Sequence, residues 1–224
     1  MQSEATIQSK PKTKSTLTTL SKTTAQSNST IQSKPKTRLW TREEYYKLAE
    51  AGFFNNQRVE LIEGRILVMA AMNALHRRGV TKADRVLQRI FTRGFHVSTK
   101  CPLSLGTASD PEPDVAVIVG SEDDYIESHP TTAALIVEIA DSSLNYDQTD
   151  KASLYAKANV PDYWIVNLKH RRVEVRRRPK KDNTQPFGYG YAETVIYTQK
   201  DFISPLAKPK ARIAVSSLLP RKTS

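Results

Sequence analysis

Ala134-Leu135-Ile136-Val137-Glu138-Ile139-Ala140 is an apolar run interrupted once, by a glutamate. Bounded by Pro130-Thr131 and Asp141-Ser142-Ser143, it reads as a strand buried on both faces, as in the centre of an α/β sheet. An unpartnered carboxylate in such a strand costs several kcal/mol. Glu138 therefore needs a partner, either a metal ion or a buried Arg or Lys. A second acid stands before another apolar run, in Pro111-Glu112-Pro113-Asp114-Val115-Ala116-Val117-Ile118-Val119. Two neighbouring buried strands would then each present one acid. Taken alone, Asp114 behind its proline also reads as a turn residue bonded to its own backbone.

The segment after Glu138 adds a cation. Asp147-Gln148-Thr149-Asp150 reads as a helix start, with Asp147 as N-cap and the helix running from Lys151 to Ala158. Asn159 and Val160-Pro161 close it, because Asn tolerates the left-handed conformation past a helix end and Pro cannot continue the helix. Lys151 then lies in the first turn, where the helix dipole disfavours a cation, and can reach back to the strand end that carries Glu138. Tyr155, four residues on, shares its face.

In order, the chain carries Pro113-Asp114, then Val137-Glu138-Ile139-Ala140-Asp141-Ser142-Ser143, then Asp147, Lys151, Tyr155-Ala156 and Val160-Pro161-Asp162-Tyr163-Trp164-Ile165-Val166-Asn167-Leu168. With Val59-Glu60-Leu61-Ile62-Glu63-Gly64-Arg65, Met69 and His76 upstream, this series resembles the Uma2 family, a restriction-endonuclease-like group of the PD-(D/E)XK nuclease superfamily. The resemblance covers residues 39 to 178 well and the C-terminal part weakly. It implies an α/β fold with a restriction-endonuclease-like core, a central mixed β-sheet flanked by helices. It also implies a Mg²⁺- or Mn²⁺-dependent DNA endonuclease with Asp114, Glu138 and the backbone carbonyl of Ile139 as metal ligands. The lysine that the superfamily places two residues after the glutamate is Ala140 here, and Lys151 stands where similar sequences carry a migrated catalytic lysine. Lys100, where the family often has Gln, is a substitute cation or a substrate contact.

Two further residues are candidates at the site. Glu60 lies in a run that alternates and turns like a β-hairpin around Glu63-Gly64. It either supplies a third acid on the core side or pairs at the surface with Arg58 or Arg65. His76, at the head of the segment Leu75 to Phe91, is a candidate for phosphate contact or proton transfer, and equally a helix-start histidine with no chemistry.

The chain has 224 residues and a net charge of +11. Residues 1–38 are rich in Ser, Thr, Lys and Gln, hold no aromatic, and repeat Thr-Ile-Gln-Ser-Lys-Pro-Lys-Thr at Thr6 to Thr13 and Thr30 to Thr37. Such a segment cannot bury a core and reads as a disordered basic tail before one domain, 39–224. Its composition would raise non-specific DNA affinity through counterion release, or make it a passive leader. A single cysteine, Cys101, excludes an internal disulfide and fits a reducing cytoplasm. No apolar stretch approaches the ~18 residues that a membrane span needs, and no signal-peptide core is visible.

The partners implied are DNA and no membrane, with a homodimer left open. Arg171 and Arg172, in what reads as the turn Lys169 to Arg172, and Arg176 and Arg178, on what reads as an edge strand from Val173 to Arg178, form a basic cluster. There they guard against sheet aggregation or track phosphates. Phe187-Gly188-Tyr189-Gly190-Tyr191 reads as a loop before a strand. Beside the nuclease reading stand a catalytically impaired nucleic-acid-binding relative, prompted by Ala140, and an α/β interaction module in which Glu138 only forms an ion pair.

Overall fold

Three Val- and Ile-rich runs, each long enough for one strand, form the middle of the sheet in a computed structural model that describes residues 36–221. They are β4 (Val115–Val119), β5 (Leu135–Ala140) and β6 (Asp162–Asn167). With β3 (Phe95–Ser98), β7 (Arg172–Lys181) and β8 (Tyr189–Thr198) they make a six-stranded sheet of order β3-β4-β5-β6-β7-β8. Every neighbouring pair is antiparallel except β5 and β6. That parallel pair requires a crossover, which the helical run between them provides. The mixed sheet flanked by helices is the fold class expected above. Of the expected tail, residues 1–38, all but 36–38 lie outside the described residues.

Strand periodicity sorts the buried side chains onto two faces. Val115, Val117, Val137, Ile139, Trp164 and Val166 point into one core with Ala83 and Leu87 of α2 (Ala74–Ile90). Ala116, Ile118, Ile136, Ala140, Tyr163 and Ile165 point into the other, with Leu154 and Tyr155 of α4 (Ala152–Lys157). Glu138 shares the pleat of Ile136 and Ala140, so its carboxylate projects on the α4 side. Asp114 lies one step beyond the Val115–Val137 pair and is therefore opposite Glu138.

The hairpin is β1 (Val59–Ile62) and β2 (Arg65–Val68). Glu63 (φ 48°) and Gly64 (φ 74°) both take positive φ at its turn, as a two-residue type I′ turn demands. Ahead of it, α1 (Arg42–Glu50) begins with a capping box between Thr41 and Glu44.

Two expectations change. The crossover helix begins earlier, as α3 (Leu144–Tyr146), continues as a π-helical stretch Asp147–Lys151 and then becomes α4. Asp147 is thus inside the helix and buried, accepting a hydrogen bond from Ser143 Oγ at 2.6 Å instead of capping. Leu144 packs against the second core, and this burial starts the helix a turn sooner than the local cap preference does. The helix ends as the sequence indicates, with Asn159 at φ 57°. Secondly, β7 is not an edge strand: β8 pairs along it from Arg172–Thr198 to Lys181–Tyr189. That strand starts at Tyr189, within the expected loop, and Tyr191 stacks on Tyr163 with ring centroids 6.0 Å apart. The short β9 (Phe202–Ile203), β10 (Ile213–Ala214) and α5 (Val215–Leu218) follow, contributing Ile203, Ile213, Val215 and Leu218 to the first core.

Helix α2 lies close on β5 because residue 79 has no side chain. A Cβ there would lie 2.6 Å from Ile139 Cγ2. Ile139 is β-branched and buried in a central strand, so it cannot swing away. Gly79→Ala gains about 1 kcal/mol of helix propensity and incurs about 1–3 kcal/mol of overpacking. The expected net loss of about 1 kcal/mol lowers the thermal midpoint by about 2–4 °C. A calorimetric midpoint equal to or above wild type would contradict this packing.

Candidate active site

The hairpin, the first turn of α2, the ends of β4 and β5, and the crossover helix meet at one cavity of about 440 Å³. Each acid arrives by the local logic of its element. Glu138 is mid-strand in β5 and Asp114 immediately precedes β4, so antiparallel pairing holds them face to face. The Asp114 N–H donates to Glu138 Oε2 at 3.1 Å, and the Ile139 N–H donates to Asp114 Oδ2 at 2.7 Å. Tyr155 Oη donates to Glu138 Oε1 at 2.7 Å, which fixes the carboxylate's orientation. From β1, Glu60 turns inward and is buried, so it is not the exposed strand carboxylate of the other reading, although Arg58 of that reading still lies 3.9 Å from its Oε1.

Lys151, 2% exposed, joins these acids. Its Nζ donates to Glu60 Oε2 at 2.6 Å and stands 3.4 Å from Glu138 Oε1. It therefore sits in the middle of a helical run, paired, and not in a solvated first turn. Lys100 and His76 both contact Asp114 Oδ1, the histidine through Nε2 at 3.1 Å. A left-handed backbone at Lys100 (φ 55°) aims that ammonium, a conformation that non-glycine residues adopt at some energetic expense and that concentrates at functional sites.

The electrostatics follow from burial and from these neighbours. Burial pushes the Glu138 carboxyl up, the Lys151 ammonium pulls it down, and Asp114 and Glu60 push it up again, for a net rise. Burial alone would raise Asp114, but His76 and Lys100 hold it down at about 2. Burial would lower Lys151, yet Glu138 and Glu60 together keep it above the usual ammonium range. Asp147 has burial and Glu138 against it and is pushed up to about 8.

Lining the cavity are six acids, Glu60, Glu112, Asp114, Glu138, Asp141 and Asp147, against the fixed cations Arg58, Lys100 and Lys151. Six against three leaves an excess of negative charge, lessened but not removed by protonation at Asp147. Among the described residues no group of three or more His, Cys, Asp and Glu side chains could hold a metal ion alone. The donor set fits a hard divalent cation held by two carboxylates, with backbone oxygen and water completing its shell, the usual manner of Mg²⁺.

The site thus unites Asp114, Glu138, Lys151, Glu60, His76 and Lys100. It does not include Arg171, Arg172, Arg176 or Arg178, none of which lines the cavity. Arg172 and Arg176 pair with Glu174 at 2.9 and 3.6 Å, Arg171 bonds the Pro220 carbonyl at 3.0 Å, and Arg178 lies 3.9 Å from Glu193. Sequence reasoning misses Asp147 as a member of the site. Its spacing of four from Lys151 places both on one helix face and is the signal that could have found it.

The Uma2 family model, described as "Putative restriction endonuclease", matches residues 42–216. Among solved structures, the chain is similar to the crystal structure of "a putative nuclease belonging to DUF820" from Anabaena variabilis. The TM-score is 0.61 at 17% identity, over 80% of this chain and 96% of that one. No curated protein matches the chain.

Asp147 sets a pH dependence. An acid whose folded pKa is raised holds a proton that the unfolded chain releases, so its folded state loses stability as pH climbs from the ordinary carboxylate range to about 8. Asp147→Asn removes that loss. In chelator-containing buffer the stability gap between Asp147→Asn and wild type should widen from pH 5 to 8, by up to about 1.4 kcal/mol per pH unit, and then level off. Urea midpoints that run parallel across this range would contradict the buried neutral acid.

Proposed function

The chain belongs to the Uma2 family, and on that premise we propose that it is a Mg²⁺- or Mn²⁺-dependent DNA endonuclease that hydrolyses phosphodiester bonds. The observation that carries this reading is the pairing of Asp114 and Glu138 across adjacent strands, with the Lys151 ammonium 3.4 Å from Glu138. Two buried acids beside one buried lysine, in a cleft with excess negative charge, are costly for a protein that only needs to fold.

Asp114 and Glu138 offer hard oxygen donors to the ion. The Ile139 N–H points at Asp114, and a strand residue turns its carbonyl to the same edge as its N–H, which directs a third oxygen to the same place. When bound, the ion would neutralise charge on the phosphate and acidify water.

The chain's own groups do the rest. Lys151 keeps a proton at Nζ and places positive charge beside the reacting phosphate, while Glu60 holds that ammonium in position. Tyr155 locks the Glu138 rotamer. Lys100 pairs with Asp114 in the metal-free protein, and His76 Nε2, 3.1 Å from the same carboxylate, is placed at the cleft where a proton would pass. In place of the missing strand lysine, Ala140 is buried in the second core, and the crossover helix brings an amine to the same carboxylate.

Wild-type protein should cut duplex DNA only with Mg²⁺ or Mn²⁺. Glu138→Gln should lower cleavage at least about 10²-fold, the scale of a lost transition-state interaction, and weaken Mn²⁺ binding in calorimetry. Lys151→Met should also abolish cleavage, yet bind Mn²⁺ as tightly or more tightly, because two buried acids lose their counter-charge. For the same reason the metal-free Lys151→Met protein should be less stable by about 3–5 kcal/mol. Metal-dependent cleavage absent from wild type, or Mn²⁺ affinity unchanged in Glu138→Gln, would overturn the proposal and favour a nucleic-acid binder that keeps the fold.

A further inference from the structure

Helix α2 reads Ala74-Leu75-His76-Arg77-Arg78-Gly79-Val80-Thr81-Lys82-Ala83-Asp84-Arg85-Val86-Leu87-Gln88-Arg89-Ile90, with five Lys or Arg and a single acid. Its buried side is fixed by Gly79, Ala83 and Leu87 against the sheet. At about 100° per residue, Arg78, Arg85 and Arg89 fall within an arc of roughly 40° on the opposite side, and all three are exposed. From Arg78 to Arg89, eleven helical rises, this stripe extends about 16 Å. Among the described residues none of the three forms an ion pair or a side-chain hydrogen bond. The one acid of the helix, Asp84, is half-buried and accepts from Gln88 at 2.8 Å. Lys82 is tied back to the Ser217 carbonyl at 3.2 Å.

The arginines of β7, and Arg171 just before it, are the opposite case. They are turned to Glu174, Glu193 and backbone carbonyls of their own chain. A phosphate would have to displace those partners, whereas the α2 stripe offers guanidinium groups with no carboxylate bound.

The helix also begins at the site. Asn73 caps it, accepting from the His76 N–H at 2.9 Å, and donates to Asp141 at 2.7 Å on the cavity wall. One turn further, the His76 ring touches Asp114. The stripe starts two residues after His76, on the side of the helix roughly opposite the His76 ring, and runs along the helix away from its cavity end.

We propose that the exposed face of α2, through Arg78, Arg85 and Arg89, binds the phosphate backbone of the DNA whose scissile segment enters the cavity. This rests on the hydrolytic reading for the identity of the polyanion, but not for the surface itself. The arrangement gives sequence-independent positioning: guanidinium groups pair with phosphate oxygens and release counterions, while base edges are left to other contacts.

The test is the salt dependence of binding of the full chain to a fluorescent DNA duplex in EDTA, where no cleavage can occur. Each duplex phosphate contact contributes about 0.9 to the slope of log K against log salt. Arg78→Gln/Arg85→Gln/Arg89→Gln should therefore flatten the slope by two to three and weaken binding at least about tenfold at low salt. Its circular dichroism midpoint should match wild type, since none of the three packs. Arg171→Gln/Arg178→Gln, the control at β7 and the turn before it, should keep the wild-type slope. An unchanged slope in the triple variant would overturn the proposal, as would a triple variant that loses only binding to phosphatidylserine vesicles. A flattened slope in a protein whose wild type cuts no DNA would leave this surface standing and remove the hydrolytic reading alone.

Discussion

The Lys151 ammonium, 2.6 Å from Glu60 and 3.4 Å from Glu138, joins the hairpin, a central strand and the crossover helix at one buried point. Taking ions of this kind out of water costs several kcal/mol each, so none of the three could be buried without the others. The hairpin must bring Glu60, the π-helical stretch must bring Lys151, and β5 must present Glu138 on the pleat that faces them. The unusual helix geometry from Asp147 to Lys151 coincides with this demand, as π-helical turns often do with functional sites.

Asp114 is satisfied separately. Its two oxygens take the Ile139 N–H, Lys100 and His76, so the two central acids have different partners and their pKa values move in opposite directions. Asp114 thus leans on the partly exposed Lys100 and on His76, whereas Glu138 leans on the buried Lys151, and the cleft as a whole keeps more acids than fixed cations. Helix α2 contributes at both of its ends, His76 to the acids and its exposed arginines to the surface beyond, and its position rests on the missing side chain at Gly79.

Much of this arrangement is legible in the sequence because chemistry there contradicts context. A glutamate among Leu, Ile and Val, and a lysine badly placed for a helix start, each announce a partner. The alternating run around Glu63-Gly64 shows its hairpin for the ordinary reason that turn residues and period-two burial agree. What stays hidden is set by distant packing. Nothing local tells that β8 covers β7, or that Glu174 and Glu193 engage Arg172, Arg176 and Arg178. Asp147 reads as an N-cap because a cap and a buried site acid use the same residue type, and only the burial of Leu144 decides between them. The weak strand Phe95–Ser98 carries too short a pattern to stand out beside α2.

A crystal grown or soaked in Mn²⁺ and measured at its anomalous edge tests the central claim most directly. Density for one or two ions within about 2.0–2.6 Å of oxygens of Asp114 and Glu138, with Lys100 moved off Asp114 and Lys151 still beside Glu60, is the result expected. A map at saturating Mn²⁺ with no peak in the cavity, and with Lys100 and His76 still on Asp114, would contradict it.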